Sequence, residues 1–167
     1  VLGSVKKRLA ELEIGGKEHV EEYLRSQYRN GFMASTIRGS SFCLESFVRF
    51  LKAQGKGSIE EMERKDVEGF VEQEQDHGMK PTTVKLRLAG VKAFVRFLIE
   101  QGVVGHDVLP WKLQIRVPEA LPRAMDPEDV DRLLATEGSV RDRAMILVLL
   151  RTGMRIGELL STRMPEL

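Results

Sequence analysis

The chain has 167 residues, 42% of them hydrophobic, and a formal net charge of +1 at neutral pH. This length and composition suffice for one ordinary domain or two small ones, each with a buried core, so we expect a globular protein. The longest apolar run, residues 144–150, is far too short to cross a membrane, and the first 30 residues carry charges throughout, unlike a signal peptide. We therefore expect no membrane association and a cytoplasmic location.

Cys43 is the single cysteine of the chain, so no intrachain disulfide can form. It lies among Phe42, Leu44 and Phe47, which predicts a small buried apolar residue. Such cysteine usage fits a cytosolic compartment.

Charge is distributed unevenly along the chain. Residues 57–78 contain eight acidic side chains against two basic ones, a net charge of −6. Residues 80–102 reverse this balance, with five basic side chains against one acidic one, a net charge of +4. The basic segment, residues 80–102, is therefore suited to face an anionic partner, and the acidic segment, residues 57–78, is suited to face away from it.

An internal repeat relates residues 36–55 to residues 83–102, because eight of the twenty positions are identical at an offset of 47. Apolar residues recur every three or four positions in both copies, which predicts two long amphipathic helices. Each copy ends at a glycine, Gly55 or Gly102, the residue that best adopts a left-handed helix cap.

A shorter helix is predicted before each long one. Residues 17–32 carry Val20, Tyr23 and Leu24 on one side, and residues 60–78 form an acidic helix with Met62, Val67, Phe70 and Val71 as its apolar stripe. No segment alternates polar and apolar residues in the manner of a strand. The prediction is an all-α protein in which residues 17–102 form a four-helix bundle, preceded by a flexible segment at residues 1–16.

Residues 103–120 contain two of the six prolines and show no helical stripe, so we interpret them as a linker. Trp111 within it is expected to pack as an anchor against one of the units rather than to stack on a ligand. The linker separates the bundle from a second unit at residues 121–167.

The second unit opens with two capping signals. Asp126 precedes Pro127, and Ser139 stands three residues before Asp142, so a helix is predicted after each. The second of these helices has a nearly continuous apolar run that must be enclosed on most sides. Because the rest of the unit offers too few apolar residues to enclose it, we expect the unit to be incomplete.

Arg155 follows the Thr152-Gly153 break and is predicted to lie in the first turn of a further helix. The free amides and dipole of a helix start favour an anion and disfavour a lone cation. The arginine is therefore expected to be held for a negatively charged ligand such as phosphate. An ordinary surface arginine is the simpler alternative.

Residues 152–159, TGMRIGEL, resemble the T-G-x-R-[IV]-[SG]-E-L segment that carries the first catalytic arginine of tyrosine recombinases, the phage-integrase family. The two upstream helices that share FVRFL resemble the core-binding domain of that family, a four-helix SAM-like module whose two long helices approach the major groove. The resemblance runs through nearly the whole chain from about residue 17. It implies a DNA-binding bundle, a linker and the first helices of a truncated catalytic domain.

The resemblance also implies an activity for the parent protein. Arg155 would bind a non-bridging oxygen of the scissile phosphate, Glu158 would orient the active-site arginines, and a tyrosine would attack the phosphorus. The only tyrosines are Tyr23 and Tyr28, in the first helix. The chain is therefore expected to supply DNA binding and one catalytic arginine to site-specific recombination and integration, but not to cut DNA itself.

Double-stranded DNA is the expected partner. Basic side chains and helix-start hydroxyls on the two long helices are predicted to contact it, with Arg38, Lys85 and Arg87 the better candidates for base edges. A solvated charged face is the alternative for either helix. The predicted set is Ser35, Thr36, Arg38, Arg49, Lys52, Lys80, Thr82, Thr83, Lys85, Arg87, Lys92 and Arg96.

No metal site or cofactor is predicted, since the three histidines show no metal-ligand spacing. The resemblance implies that the parent assembles as a tetramer on paired DNA sites, while the fragment is expected to be a monomer without DNA. Two other functions remain open. One is a non-catalytic DNA-binding accessory protein, and the other is a protein-binding scaffold built from helical repeats.

Overall fold

The structure is a computed structural model that describes residues 14–118, 124–136 and 138–163. Helices and loops make up these ranges, which contain no β-strand, so the all-α prediction is confirmed. The chain divides into two compact units, Val1–Pro118 and Glu119–Leu167. Within the described ranges, none of the helices has the length and apolar character needed to cross a membrane.

The first unit contains two helical hairpins, each followed by a 3₁₀ turn. In the first hairpin a short helix precedes a long one, and the second hairpin has the same order. The elements are α1 Lys17–Arg29, α2 Ala34–Ala53, a 3₁₀ turn Ile59–Glu61, α3 Arg64–Asp76, α4 Pro81–Glu100 and a 3₁₀ turn His106–Val108.

The repeat is longer in the structure than in the sequence comparison. Adding 47 to the bounds of α1, α2 and the first 3₁₀ turn reproduces the bounds of α3, α4 and the second 3₁₀ turn. The predicted glycine caps are present as well, with Gly55 at φ 80° and Gly102 at φ 69° directly after the two long helices. Residues 17–61 and 64–108 are therefore two copies of one folding unit.

The two long helices bury largely the same positions. All six buried positions of α4 have a buried equivalent 47 residues earlier in α2, which also buries Phe50. These pairs form the centre of the core: Ile37 and Val84, Ser41 and Leu88, Leu44 and Val91, Phe47 and Phe94, Val48 and Val95, Leu51 and Leu98.

Aromatic contacts between the copies are reciprocal. The ring of Tyr23 lies 5.5 Å from that of Phe94, and the equivalent rings of Phe70 and Phe47 lie 5.2 Å apart. Tyr23 also contacts Phe97 at 5.4 Å, and Phe70 contacts Phe50 at 5.7 Å. Contacts that recur when the two copies are exchanged are the signature of a two-fold axis, here inside one chain.

The long helices cross where Cys43 meets Gly90, its own equivalent in the second copy. Cys43 Sγ donates a hydrogen bond to the carbonyl of Arg87 at 3.2 Å, and burial raises the pKa of this thiol to about 11, so it stays protonated. A Cβ atom at Gly90 would lie 2.9 Å from Cys43 Sγ. The crossing therefore requires a glycine on one helix and a small side chain on the other.

Several local expectations differ from the structure. The acidic helix begins at Arg64, because residues 59–61 form a 3₁₀ turn and Met62 is buried just outside the helix. The segment predicted to be flexible includes residues 14–16, yet Ile14 is buried and Gly15 donates a backbone hydrogen bond to Gly57. Residues 1–13 of that segment lie outside the described residues.

The predicted linker also packs on the bundle over much of its length. Val108 and Leu109 are buried in the core, and Leu113 and Ile115 lie against it half-buried. These apolar residues do not recur at a regular helical period, which is why the sequence pattern indicated only a linker. Residues 119 and 120 lie outside the described residues.

The second unit contains α5 Pro127–Ala135, α6 Val140–Thr152 and α7 Ile156–Ser161. Both predicted caps are present, because Asp126 accepts a hydrogen bond from the amide of Glu128 and Ser139 accepts one from the amide of Asp142. None of the residues described in these three helices is buried. The expected enclosure of α6 is thus not provided by the described residues.

Substitution at the helix crossing tests this packing. Gly90→Ala would ordinarily stabilise a helix by about 1 kcal/mol, but overpacking against Cys43 costs about 1–3 kcal/mol, so we expect a net loss of about 1 kcal/mol. In a Cys43→Ala background the same substitution should stabilise by about 1 kcal/mol. Urea unfolding of the four proteins measures the coupling. Equal effects of Gly90→Ala in both backgrounds would contradict the contact.

Candidate nucleic-acid interface and Arg155 site

Three of the predicted cations project from the long-helix pair into solvent. Arg38 on α2, Lys85 on α4 and Lys80 just before α4 are exposed, and no ion pair joins them to any part of the chain that the structure describes. Arg38 and Lys85 occupy equivalent positions of the two copies. These side chains are therefore available to an external anion.

The remaining cations of α2, Arg49 and Lys52, lie towards the C-terminal end of the helix. Arg49 forms an ion pair with Glu45, one helical turn earlier, at 2.9 Å. Lys52 is exposed in the last turn of the helix. An exposed pair of this kind contributes little to stability, and the carboxylate of Glu45 offsets part of the positive charge that Arg49 offers to an external anion.

Arg87 differs from its prediction as a base-edge contact. Its guanidinium forms an ion pair with Glu74 of α3, and the two side chains are 22% and 5% exposed. The equivalent positions in the first copy also form a hydrogen bond, from Gln27 Nε2 to Ser40 Oγ at 3.1 Å. Arg87 therefore joins α3 to α4 through this ion pair.

Lys92 and Arg96 contact the segment that follows the second 3₁₀ turn. Lys92 Nζ donates to the carbonyl of Leu113 at 2.6 Å, and its pKa is lowered by burial and by Arg96. The guanidinium of Arg96 lies 5.8 Å from the ring centre of Trp111. Trp111 is 60% exposed, so it holds a cation at the surface and is not the packing anchor expected from the sequence.

The predicted hydroxyl contacts lie in the first turns of the two long helices. Ser35 and Thr36 follow Ala34, and Thr82 and Thr83 follow Pro81. Three of the four are exposed, and Thr83 is half-buried. Neither helix has a side-chain cap, so its first amides are not occupied by a capping oxygen.

Helix α3 has the opposite character. Its two cations are paired with carboxylates, Arg64 with Glu68 at 2.9 Å and Lys65 with Glu63 at 2.9 Å. Glu72 and Asp76 are exposed further along the same helix. The first unit therefore carries exposed cations on the long helices and excess negative charge on α3, and only the former suits a polyanion.

Arg155 is the residue just before α7, whereas the sequence pattern had predicted that it lies in the first turn of that helix. Glu158 Oε2 accepts the backbone amide of Arg155 at 2.8 Å, and Glu158 Oε1 accepts from its guanidinium at 2.9 Å. These two bonds hold the pKa of Glu158 below its usual value, the backbone bond most strongly. The Arg155 side chain is 87% exposed, so most of its donors remain open to solvent.

The other candidate side chains lie in the first unit. Tyr23 is half-buried against Phe94 and Phe97, and burial raises its pKa, whereas Tyr28 is exposed. His19 Nε2 lies 3.0 Å from Glu60 Oε1. With Glu18 these two bring metal-ligating atoms within 4.8 Å of one another, a grouping that sequence spacing missed because Glu60 is distant in the chain. The hydrogen-bond contact between His19 and Glu60 accounts for the arrangement.

Comparison with known proteins agrees with this fold. Residues 34–102 match the family described as "Phage integrase, N-terminal SAM-like domain". The chain is 32% identical over 158 residues to tyrosine recombinase XerC of Roseiflexus sp. (strain RS-1), covering 90% of this chain and 50% of that protein. It is 30% identical over 146 residues to tyrosine recombinase XerD of Listeria monocytogenes serotype 4b (strain F2365), covering 82% and 48%.

A solved structure has a similar fold. The integrase from mycobacterium phage Brujita superposes with a TM-score of 0.53 at 20% identity, covering 84% of this chain and 47% of that one. The region matched by the integrase family, residues 34–102, runs from α2 to the end of α4. The chain is a relative of the tyrosine recombinases and phage integrases, and the resemblance read from the sequence is confirmed. It spans about half the length of the curated relatives that it matches.

The structural role of Arg87 can be separated from DNA contact by stability alone. Arg87→Ala leaves the buried Glu74 carboxylate without its partner, so we expect a loss of about 3 kcal/mol in the free energy of unfolding. Lys85→Ala, two residues away on the exposed side of the same helix, should change it by less than about 0.5 kcal/mol. Urea denaturation in the absence of DNA measures both. Equal losses for the two variants would contradict the buried ion pair.

Proposed function

We propose that this chain provides the DNA-binding domain and the leading part of the catalytic domain of a site-specific tyrosine recombinase that integrates or recombines DNA. The observation that carries the proposal is the separation of charge on a SAM-like integrase domain. Exposed cations without an ion pair among the described residues project from the long helices, while both cations of α3 are paired with carboxylates. A duplex fits the first surface and is repelled by the second.

The contacts are divided by what each side chain can reach. Arg38, Lys80 and Lys85 are assigned to the duplex directly. The hydroxyls of Ser35, Thr36, Thr82 and Thr83 are assigned to the sugar–phosphate backbone. Arg49, Lys52, Lys92 and Arg96 are assigned to a secondary set, because Arg49 is paired with Glu45 and the segment around Trp111 and Leu113 holds Lys92 and Arg96.

Arg155 is proposed as the first catalytic arginine. The planar guanidinium can donate two parallel hydrogen bonds to a phosphate, which a lysine cannot do. Such a group stabilises the charge that grows on the non-bridging oxygens of the five-coordinate transition state. Glu158 positions it, because one carboxylate accepts both the backbone amide and the guanidinium of residue 155.

The nucleophile and the other catalytic groups are proposed to lie in the part of the relatives that this chain does not cover. The proposal that the catalytic domain has a further part is supported by apolar side chains of α6 and α7, which are exposed in the described part of the unit. A further part of the catalytic domain would bury them. The exposed set is Val140, Leu147, Val148, Leu150, Ile156 and Leu160.

The parent protein is proposed to break and rejoin DNA through a phosphotyrosine intermediate, without a metal ion or nucleotide. Conserving the phosphodiester energy in a protein–DNA bond is what makes rejoining possible without a cofactor. Its working form is proposed to be a tetramer on paired sites in the cytoplasm. This chain alone would bind DNA as a monomer.

Binding to a mixed-sequence duplex tests the DNA-binding part of this proposal. Fluorescence anisotropy of a labelled duplex, measured at increasing salt, should give an affinity that falls steeply. With about three phosphates neutralised by the three directly assigned cations, the slope of log affinity against log salt should be about −2.7. Absence of binding at low salt, or an affinity that does not depend on salt, would contradict the proposal.

A further inference from the structure

The internal two-fold axis reaches the protein surface between the two long helices. An axis that exchanges the two hairpins must pass through the contact between equivalent residues, Cys43 and Gly90. On one side of that crossing lies the core, where Tyr23 meets Phe94 and Phe47 meets Phe70. The axis therefore emerges on the other side, between the solvent-exposed sides of α2 and α4.

The surface where the axis emerges carries several small side chains and is partly apolar. Phe42 on α2 is 59% exposed and Leu86 on α4 is 74% exposed. With these residues, helical periodicity places the following on the sides of α2 and α4 that point away from the core: Ser35, Gly39, Thr82 and Ala89. We name this surface, with Arg38 and Lys85 at its edges, the axial face.

Arg38 and Lys85 are the symmetric cations of the axial face. They are 47 residues apart, both are exposed, and neither has an ion pair with a residue that the structure describes. Another equivalent pair on the long helices, Arg49 and Arg96, does not preserve the symmetry. Arg49 is neutralised by Glu45, whereas Arg96 lies against Trp111. On the axial face, the symmetric positive charge is therefore one cation from each copy, Arg38 from the first and Lys85 from the second.

Duplex DNA has the matching symmetry, because local dyad axes exchange its two antiparallel strands. Proteins with two-fold symmetry bind DNA with their axis on such a dyad. We propose that the axial face binds duplex DNA with its internal two-fold axis along a local dyad, so that Arg38 and Lys85 contact equivalent phosphates on opposite strands. The proposal rests on the proposed DNA-binding function and adds the geometry of the contact.

This geometry changes the assignment of the two cations. Only the backbone of a mixed-sequence duplex obeys the dyad, since the base pairs differ on its two sides. Contacts that the axis makes equivalent are therefore phosphate contacts, and not the base-edge contacts that the sequence indicated for Arg38 and Lys85. In this geometry the apolar side chains Phe42 and Leu86 lie against the DNA groove between the two contacted phosphates.

Charge-removal variants of the full chain test the equivalence. Arg38→Ala and Lys85→Ala should each reduce the slope of log affinity against log salt by about 0.9, and the double variant by about 1.8. Near 0.1 M salt each single variant should bind a mixed-sequence duplex about eightfold more weakly. Lys65→Ala, which removes the same charge from the acidic helix α3, is the matched control and should not weaken binding. Unchanged thermal unfolding of the variants shows that they remain folded.

The outcomes separate the symmetric contact from DNA binding itself. If wild-type protein does not bind the duplex, the proposed function fails and the symmetric contact fails with it. If wild-type protein binds with the expected salt dependence but only one of the two variants differs from Lys65→Ala, DNA binding stands and the symmetric contact is overturned. Loss of the same slope and affinity in Arg38→Ala and Lys85→Ala supports it.

Discussion

Reciprocal aromatic packing between the two hairpins is the constraint on which the rest of the first unit depends. Tyr23 packs on Phe94 as Phe70 packs on Phe47, so each short helix inserts its ring against the long helix of the other copy. Rings of this size bury large apolar areas, and edge-on contacts add about 0.5–1.5 kcal/mol each. This exchange fixes the crossing of α2 over α4, and the crossing determines which sides of the long helices face solvent.

The two copies have diverged where their surroundings differ, and the divergence separates structural from exposed charge. At one pair of equivalent positions the first copy uses Gln27 and Ser40, and the second uses Glu74 and Arg87. A buried carboxylate requires a partner, so Arg87 is committed to the interior of its hairpin. Arg38 and Lys85 form no ion pair with a buried carboxylate among the residues that the structure describes. Charge composition alone does not distinguish these cases, but burial and pairing do.

Much of this architecture could be predicted from the sequence. The helical period, the glycine ends at Gly55 and Gly102 and the caps at Asp126 and Ser139 are local signals, and local chemistry decides them. The role of Arg87, the cover over Lys92 and the exposed position of Trp111 depend on side chains from other elements. No pattern within one helix reveals them. The two-fold axis was also hidden, since its defining contacts join residues that differ between the copies, such as Tyr23 and Phe70.

Chemical-shift mapping by NMR tests the central claim most directly, because it reports every backbone amide as the full chain is titrated with a short mixed-sequence duplex. The account predicts shifts in matched pairs 47 residues apart, at Arg38 and Lys85 and at Phe42 and Ala89, with α3 unaffected. Shifts confined to one long helix, or concentrated on α3, would contradict a DNA-binding face organised around the internal two-fold axis.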